Sequence, residues 1–233
     1  MNHSLIEEAA CRAGITLLEE QIFQVDRYVE HLKEENQKFN LTSIIEDEAI
    51  AIRHLEDSWH AASLFKKGSS LLDVGTGAGF PGLALKIIRP DLEVTLLDAT
   101  GKKVVFLQDT IRLLDLHGVS ALQGRAEELG RNPLYRERFD QVIARAVSAL
   151  PELSELCLPL VKKGGSFIAM KGQDDEVKSA VRAISLLGAV HEKTIRYELL
   201  GMDAPRSLVM IKKRTASPRR FPRRMATISQ SPL

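Results

Sequence analysis

The 233 residues predict an α/β fold: a mostly parallel sheet of seven strands that ends in an antiparallel hairpin, preceded by an N-terminal helical region. Three observations carry that prediction. Short apolar runs alternate with helical patterns from Leu71 to Leu187. The first run, 71–74, breaks into a loop with Gly75, Gly77, Gly79 and Gly82, and a helical pattern starts at Leu83. Strand, glycine turn and helix start in that order mark the first crossover of a nucleotide-binding sheet. The last two strand-like runs, 190–197 and 207–211, have no helix between them and should pair antiparallel at one edge.

Residues 1–68 read as helices. Ile22, Val25, Tyr28, Val29 and Leu32 recur at helical spacing, with Glu30, Lys33, Glu34 and Glu35 on the other face. Phe39-Asn40-Leu41-Thr42 breaks the pattern, and Ser43-Ile44-Ile45-Glu46 has the form of a capping box opening a new helix. Another helix is expected from His54 to Phe65. Lys66-Lys67-Gly68-Ser69-Ser70 is a turn and sets the boundary of the helical region. The sheet domain, 69–213, then alternates: strands at 71–74, 94–97, 119–122, 141–144 and 166–170, helices at 83–88, 102–116, 150–160 and 177–187. Lys163-Gly164-Gly165 reads as a turn ahead of the fifth strand. Right-handed crossovers would place helices on both faces of the sheet. Residues 214–233 form a basic tail.

Composition removes several function classes. No apolar run reaches membrane-spanning length, and the start of the chain lacks the pattern of a signal peptide. Cys11 and Cys157 are the only cysteines and neither has a metal-ligand spacing, which fits reduced thiols in a cytoplasmic protein without a metal site. The net charge of +1 hides an asymmetry. Lys212, Lys213, Arg214, Arg219, Arg220, Arg223 and Arg224 face no acidic residue in the last stretch, leaving 25 basic against 31 acidic residues in positions 1–211. A basic tail on an acidic body points to an anionic partner engaged locally.

The glycine loop admits two cofactors. Gly77-Ala78-Gly79-Phe80-Pro81-Gly82 satisfies G-x-G-x-x-G, with Asp98 at the distance of a ribose-binding acid, so a dinucleotide and an NAD-dependent oxidoreductase are one reading. The other frame is Asp73-Val74-Gly75-Thr76-Gly77-Ala78-Gly79, an acid two residues ahead of G-x-G-x-G. It resembles the Rossmann-like S-adenosylmethionine-dependent methyltransferases. That cofactor carries an α-ammonium and a sulfonium but no phosphate, so its site wants a carboxylate at the first strand's end, where pyrophosphate wants backbone N–H groups. Asp98 would then meet the ribose hydroxyls, and Ala126 and Glu127 would meet adenine. Asp73 favours this second frame.

The end of the fourth strand, Ile143-Ala144-Arg145-Ala146-Val147-Ser148, holds neither an Asn/Asp-Pro-Pro-aromatic motif nor a Pro-Cys nucleophile. What remains is an acceptor already nucleophilic as bound, such as guanine N7. Catalysis would then be alignment in a water-poor pocket, with no general base.

The chain resembles the bacterial 16S ribosomal RNA guanine-N7 methyltransferases, the glucose-inhibited division protein B family, over essentially its whole length. The marks are Phe39-Asn40-Leu41-Thr42-Ser43-Ile44, His54-Leu55-Glu56-Asp57-Ser58, the loop from Leu72 through Phe80-Pro81-Gly82, Arg89-Pro90 and Leu97-Asp98-Ala99-Thr100-Gly101-Lys102-Lys103. Arg125-Ala126-Glu127, Ala144-Arg145-Ala146, Lys171-Gly172, Arg206-Ser207-Leu208-Val209 and the tail continue it. The resemblance implies methylation of the guanine numbered 527 near the decoding site of small-subunit rRNA. It implies cofactor contacts at Gly75, Phe80, Asp98, Ala99, Thr100, Ala126, Glu127 and Arg145. Trp59, where a smaller aliphatic residue is expected, and residues 225–231 depart from the family pattern.

The expected site therefore comprises Asp73, Gly75, Gly77, Gly79, Phe80, Asp98, Ala99, Thr100, Ala126, Glu127 and Arg145 for the cofactor. Arg145, at a ligand-facing strand end, also positions the methionine carboxylate or the guanine. Expected RNA contacts are Asn40, His54, Lys171, Arg206, Arg219, Arg220, Arg223 and Arg224, with Phe221 stacking on a base and the tail ordering on RNA. The partner is 16S rRNA or the small ribosomal subunit, bound by a monomer. A non-catalytic RNA-binding module is the third reading. His54, Asp57 and Ser58 resemble a hydrolytic triad, but neighbours on one helix do not easily reach triad geometry.

Overall fold

The computed structural model describes residues 1–172 and 176–233. Helix α1 (His3–Arg12) leads to α2 (Glu19–Phe39), whose predicted apolar stripe, Ile22, Val25, Tyr28, Val29 and Leu32, is buried throughout. Asn40 ends α2 in the left-handed conformation (φ 49°) that asparagine tolerates better than most residues, so its backbone is a helix stop.

The next helix differs from expectation at both ends. Ser43–Glu46 lies outside it, and no capping box forms: α3 (Asp47–Ile50) starts from Glu46 without a side-chain cap. The hydroxyl that caps this region is that of Thr42, which accepts the Ile44 N–H at 3.1 Å. α3 runs through a π-helical turn, Ala51–Glu56, straight into α4 (Asp57–Trp59), so the two helices expected here are one. It stops at Trp59, and a short 3-10 turn (Ala62–Leu64) follows. Trp59 is buried and its Nε1 donates to Ala84 O at 3.1 Å, which gives the unexpected indole a partner.

The sheet follows as β1 (Ser70–Val74), α5 (Gly82–Ile88), β2 (Glu93–Asp98), α6 (Gly101–Leu113), β3 (Val119–Gln123), the short α7 (Ala126–Leu129) and β4 (Phe139–Arg145). Then come α8 (Leu150–Cys157), β5 (Val161–Lys171), α9 (Glu176–Leu186), β6 (Ala189–Tyr197) and β7 (Arg206–Lys213). The strand order is β3-β2-β1-β4-β5-β7-β6, and only β7 runs against its neighbours among the described strands. The expected terminal hairpin is therefore present, with β7 inserted against β5 and β6 at the edge.

The turn expected at Lys163–Gly165 lies inside β5. Val161 already pairs with Phe139, and pairing resumes at Ser166 opposite Gln141, so the glycines form a bulge in the strand. A Cβ on Gly165 would sit 2.4 Å from Asp140 O, which explains a glycine where two backbones converge.

Both sheet faces are covered, as a parallel sheet requires. Adjacent residues on one strand feed opposite cores: Leu71 and Ile143 pack with α2, α5 and α6, whereas Leu72 and Val142 pack with α8 and α9. The N-terminal helices belong to the first core and the tail to the second. The basic tail contributes to core as well as charge: Phe221 and Ile228 are buried in that second core. Arg136 donates to Ser217 O and Phe221 O at 2.7 Å, and Arg131 to Pro222 O at 2.8 Å, satisfying carbonyls that lack helix or sheet partners. The tail ends in α10 (Met225–Gln230). No helix among the described residues is long and apolar enough to cross a membrane.

Candidate active site

Strand order reverses between β2-β1 and β4-β5, and ligands of open α/β sheets bind at the carboxyl ends of the strands flanking such a reversal. Asp73 and Gly75 lie at that end of β1 and Arg145 at that end of β4. The loop after β1 is fixed from three sides. Gly75 N–H and Thr76 N–H donate to Leu97 O, Gly77 N–H to Asp98 Oδ2 at 3.0 Å, and the Tyr28 hydroxyl of α2 to Ala78 O. Gly75 (φ 72°) and Gly79 (φ 103°) both need left-handed backbone, and a Cβ would come within 2.7 Å of Val147 and 2.6 Å of the Tyr28 hydroxyl, respectively. These positions are closed to any side chain.

Asp73 is fully buried beneath the loop. Its Oδ2 accepts the Gly82 N–H at 2.8 Å, pinning the start of α5, while Oδ1 has no hydrogen-bond partner. Burial pushes its carboxyl up to about 6, against the pull of the Thr76 hydroxyl, the Gly82 N–H and Arg145. As placed, this side chain lies behind the loop it supports, so its charge faces the ligand side across that loop and not by direct contact. Asp98 divides its oxygens between Gly77 N–H and Thr100 N–H (2.8 Å) and keeps further lone pairs for a ligand hydroxyl.

A cavity of about 190 Å³ opens over these strand ends, lined among others by Gly75, Asp98, Ala99, Ala126, Glu127 and Val147. Five expected cofactor residues thus share one cavity, and Gly77, Gly79 and Thr100 shape the backbone beside it. The cavity presents a carboxylate at Asp98, backbone at Ala126 and Glu127, and a glycine at Gly75. Leu97, Leu156 and Met225 supply apolar lining, and Met225 comes from the tail.

Phe80 lies elsewhere. Its ring is stacked on His54 (centroids 4.3 Å apart, 11° between planes) and packs on Tyr28, with the Arg145 guanidinium 5.7 Å from its centroid. Phe80 therefore ties the glycine loop to His54 and Arg145 on the other side of the crevice.

That side is organised by Asp57, which is fully buried and accepts from Arg145 Nη1 (2.9 Å), Tyr197 Oη (2.7 Å) and Arg206 Nε and Nη2 (3.2 and 3.0 Å). Burial opposes its charge, but Arg145, Arg206 and Tyr197 outweigh burial and hold the carboxyl below the usual range. Arg145 also donates to Arg53 O at 2.8 Å and to His54 Nδ1 at 3.0 Å. A guanidinium only donates, so Nδ1 accepts, and the ring proton sits on Nε2 facing Thr42 Oγ1 at 3.1 Å. Burial, helped by Arg145, pushes the imidazole down to about 3, so His54 is neutral. Ser58 Oγ donates to His54 O, which removes the triad reading.

Ile44, Arg53, His54, Arg145, Ala146 and Arg206, with Leu199 and Met202 of the β6–β7 connection, line a second cavity of about 230 Å³. Ala146 adopts φ 55°, uncommon for a residue with a Cβ, immediately after β4. Ala146 lines the second cavity and Val147 the first, so the two meet at the end of β4.

The remaining expected RNA contacts are not gathered there. Lys171 donates to Ser148 O (2.8 Å) and pairs with Glu176 (3.0 Å), a structural strut. Arg223 is likewise committed to the fold: its backbone N–H, Nε and Nη2 all go to the fully buried Glu155. Phe221 is buried and unavailable for base stacking; Arg219, Arg220 and Arg224 are exposed, and so is Asn40. Tyr28, Asp57, Tyr197 and Met225 are site residues that sequence reasoning missed. Only Asp57 left a signal, three positions after His54 on one helix face. No cluster of metal-ligating side chains occurs among the described residues.

A sheet of this order, with β7 reversed and a cavity over the carboxyl ends of β1, β2 and β3, defines the Rossmann-like, class I methyltransferase fold. TYW2 of M. jannaschii, solved in complex with AdoMet, superposes with a TM-score of 0.56 at 12% identity over 69% of this chain and 76% of its own. A predicted O-methyltransferase of Agrobacterium tumefaciens does so with a TM-score of 0.52 at 23% identity over 66% and 78%. Within that class the chain belongs to the family described as rRNA small subunit methyltransferase G (GidB), whose model matches residues 21–199. The Ribosomal RNA small subunit methyltransferase G of Acetivibrio thermocellus is 45% identical over 98% of this chain and 96% of its own, and that of Exiguobacterium sp. is 42% identical over 100% of both. The dinucleotide oxidoreductase reading is not favoured by these relations.

Proposed function

We propose that the protein transfers a methyl group from S-adenosylmethionine to N7 of a guanine in small-subunit rRNA. The observation that carries this reading is the pair of cavities meeting at the end of β4, one lined for a nucleoside and the other by Arg53, Arg145 and Arg206. S-adenosylmethionine supplies an electrophilic methyl on its sulfonium. The chain supplies placement: Asp98 and the Ala126–Glu127 backbone orient the nucleoside end, and the buried Asp73 charge lies beneath the loop that the cationic end approaches. Guanidinium groups favour guanine O6 and phosphate. Guanine N7 attacks with an in-plane lone pair and gives up no proton.

The engagement of His54, Asp57 and Asp73 supports N7 over an exocyclic amine. Both His54 nitrogens are engaged, Asp57 already accepts from three side chains, and Asp73 is shut off from solvent. Thermal unfolding tests the cofactor half: S-adenosylhomocysteine raises the melting temperature and NAD does not. The reverse order would restore the oxidoreductase alternative. RNA binding without methyl transfer would leave an RNA-binding module.

A further inference from the structure

We infer that Met225, in the C-terminal tail, is a cofactor-binding residue that packs on the adenine of the bound nucleoside. The inference rests on reading the cavity over β1–β3 as the cofactor site. The family match ends at residue 199, and local composition had placed the tail outside the domain. The structure places Met225 among the residues lining that cavity, alongside Leu97, Val147 and Leu156. Asp98 and the backbone at Ala126 and Glu127 provide polar edges; a purine also needs apolar matter against its ring faces. An unbranched thioether suits a flat heteroaromatic ring, since it conforms to the surface and its sulfur is polarizable.

The position of Met225 is enforced. Two residues before it, Arg223 grips the buried Glu155 through its backbone N–H (2.8 Å) and guanidinium (2.6 Å), and Glu155 neighbours the cavity residue Leu156 on α8. Three residues after it, Ile228 is fully buried in the core shared with α8. Pro222 packs where a Cβ on Gly130, just past α7, would lie 2.8 Å from it. The tail is thus latched to α7 and α8, the two helices that flank the cavity, and carries Met225 into its wall.

Calorimetric titration of the full-length protein with S-adenosylhomocysteine and with methylthioadenosine tests this, because the second ligand keeps the nucleoside and lacks the amino-acid end. Met225→Ala weakens both by about tenfold, the loss of one apolar contact against the ring. Met225→Leu restores most of the affinity for both, and the melting temperature of the ligand-free protein stays near the parent value in each. Unchanged affinity for both ligands in Met225→Ala, or a loss confined to S-adenosylhomocysteine, overturns the inference. A loss in both variants that tracks a lowered melting temperature also overturns it, showing general packing. If the parent protein binds neither ligand, the cofactor reading itself fails and takes this inference with it.

Discussion

A carboxylate deprived of water takes its charge reluctantly, and Asp73 is fully buried with the Gly82 N–H on one oxygen and the Thr76 hydroxyl as its other neighbouring donor. With its carboxyl raised to about 6 from 3.8, the folded chain holds a proton between those values that the unfolded chain releases. Its contribution to stability is therefore full below about 3.8 and is lost as pH rises through about 6. A cationic ligand over the loop reverses the preference, since it interacts with the ionised form. Affinity for S-adenosylmethionine should thus climb as pH rises through about 6, and Asp73→Asn should flatten that climb; a titration series across pH 5 to 8 reads it, and a flat parental profile would count against the role. The glycines and Asp98 were legible because backbone geometry leaves a residue-type signature. Asp57 left only its place beside His54, because a carboxylate shows its function when its donors are known, and Arg145, Tyr197 and Arg206 arrive from 88 to 149 positions later.

Among elements, the helix that begins as α3, loosens through a π turn and finishes as α4 carries Arg53, His54 and Asp57 to one side of the site. Turns of this kind are rare and recur where side chains must be re-aimed. Asp57 then joins this helix to the end of β4 through Arg145, to the end of β6 through Tyr197 and to the start of β7 through Arg206. Asp57→Ala strands two guanidinium groups at a largely buried position and should lower stability by about 3–5 kcal/mol, measured as a fall in the urea midpoint. A change within about 0.5 kcal/mol would show the pairs to be worth no more than surface ones. Strand and helix order was legible because apolar alternation survives without tertiary context. The capping box at Ser43 and the turn at Lys163 were misread because tertiary partners decided both: Thr42 already serves that backbone, and β5 begins at Val161 through its pairing with β4.

Across the whole molecule, the N-terminal helices complete one core and the tail completes the other, so both ends of the chain build the site. Tyr28 reaches the glycine loop from the first and Met225 the cavity over β1–β3 from the second. The tail escaped sequence reading because its order comes from Arg131, Arg136 and Glu155, residues about 70 to 90 positions away. Of its exposed arginines, Arg219, Arg220 and Arg224 are the ones expected to meet RNA. Replacing these three with alanine should reduce the salt dependence of RNA binding by about two to three log units per log unit of salt and leave the melting temperature unchanged; an unaltered slope would place the RNA elsewhere. The reaction itself is tested most directly by incubating unmodified small ribosomal subunits with labelled S-adenosylmethionine and mapping N7-methylguanine by chemical cleavage of the rRNA. Label on N7 of a single guanine is the predicted result; label on an exocyclic amine, a ring carbon, a ribose or protein would contradict it.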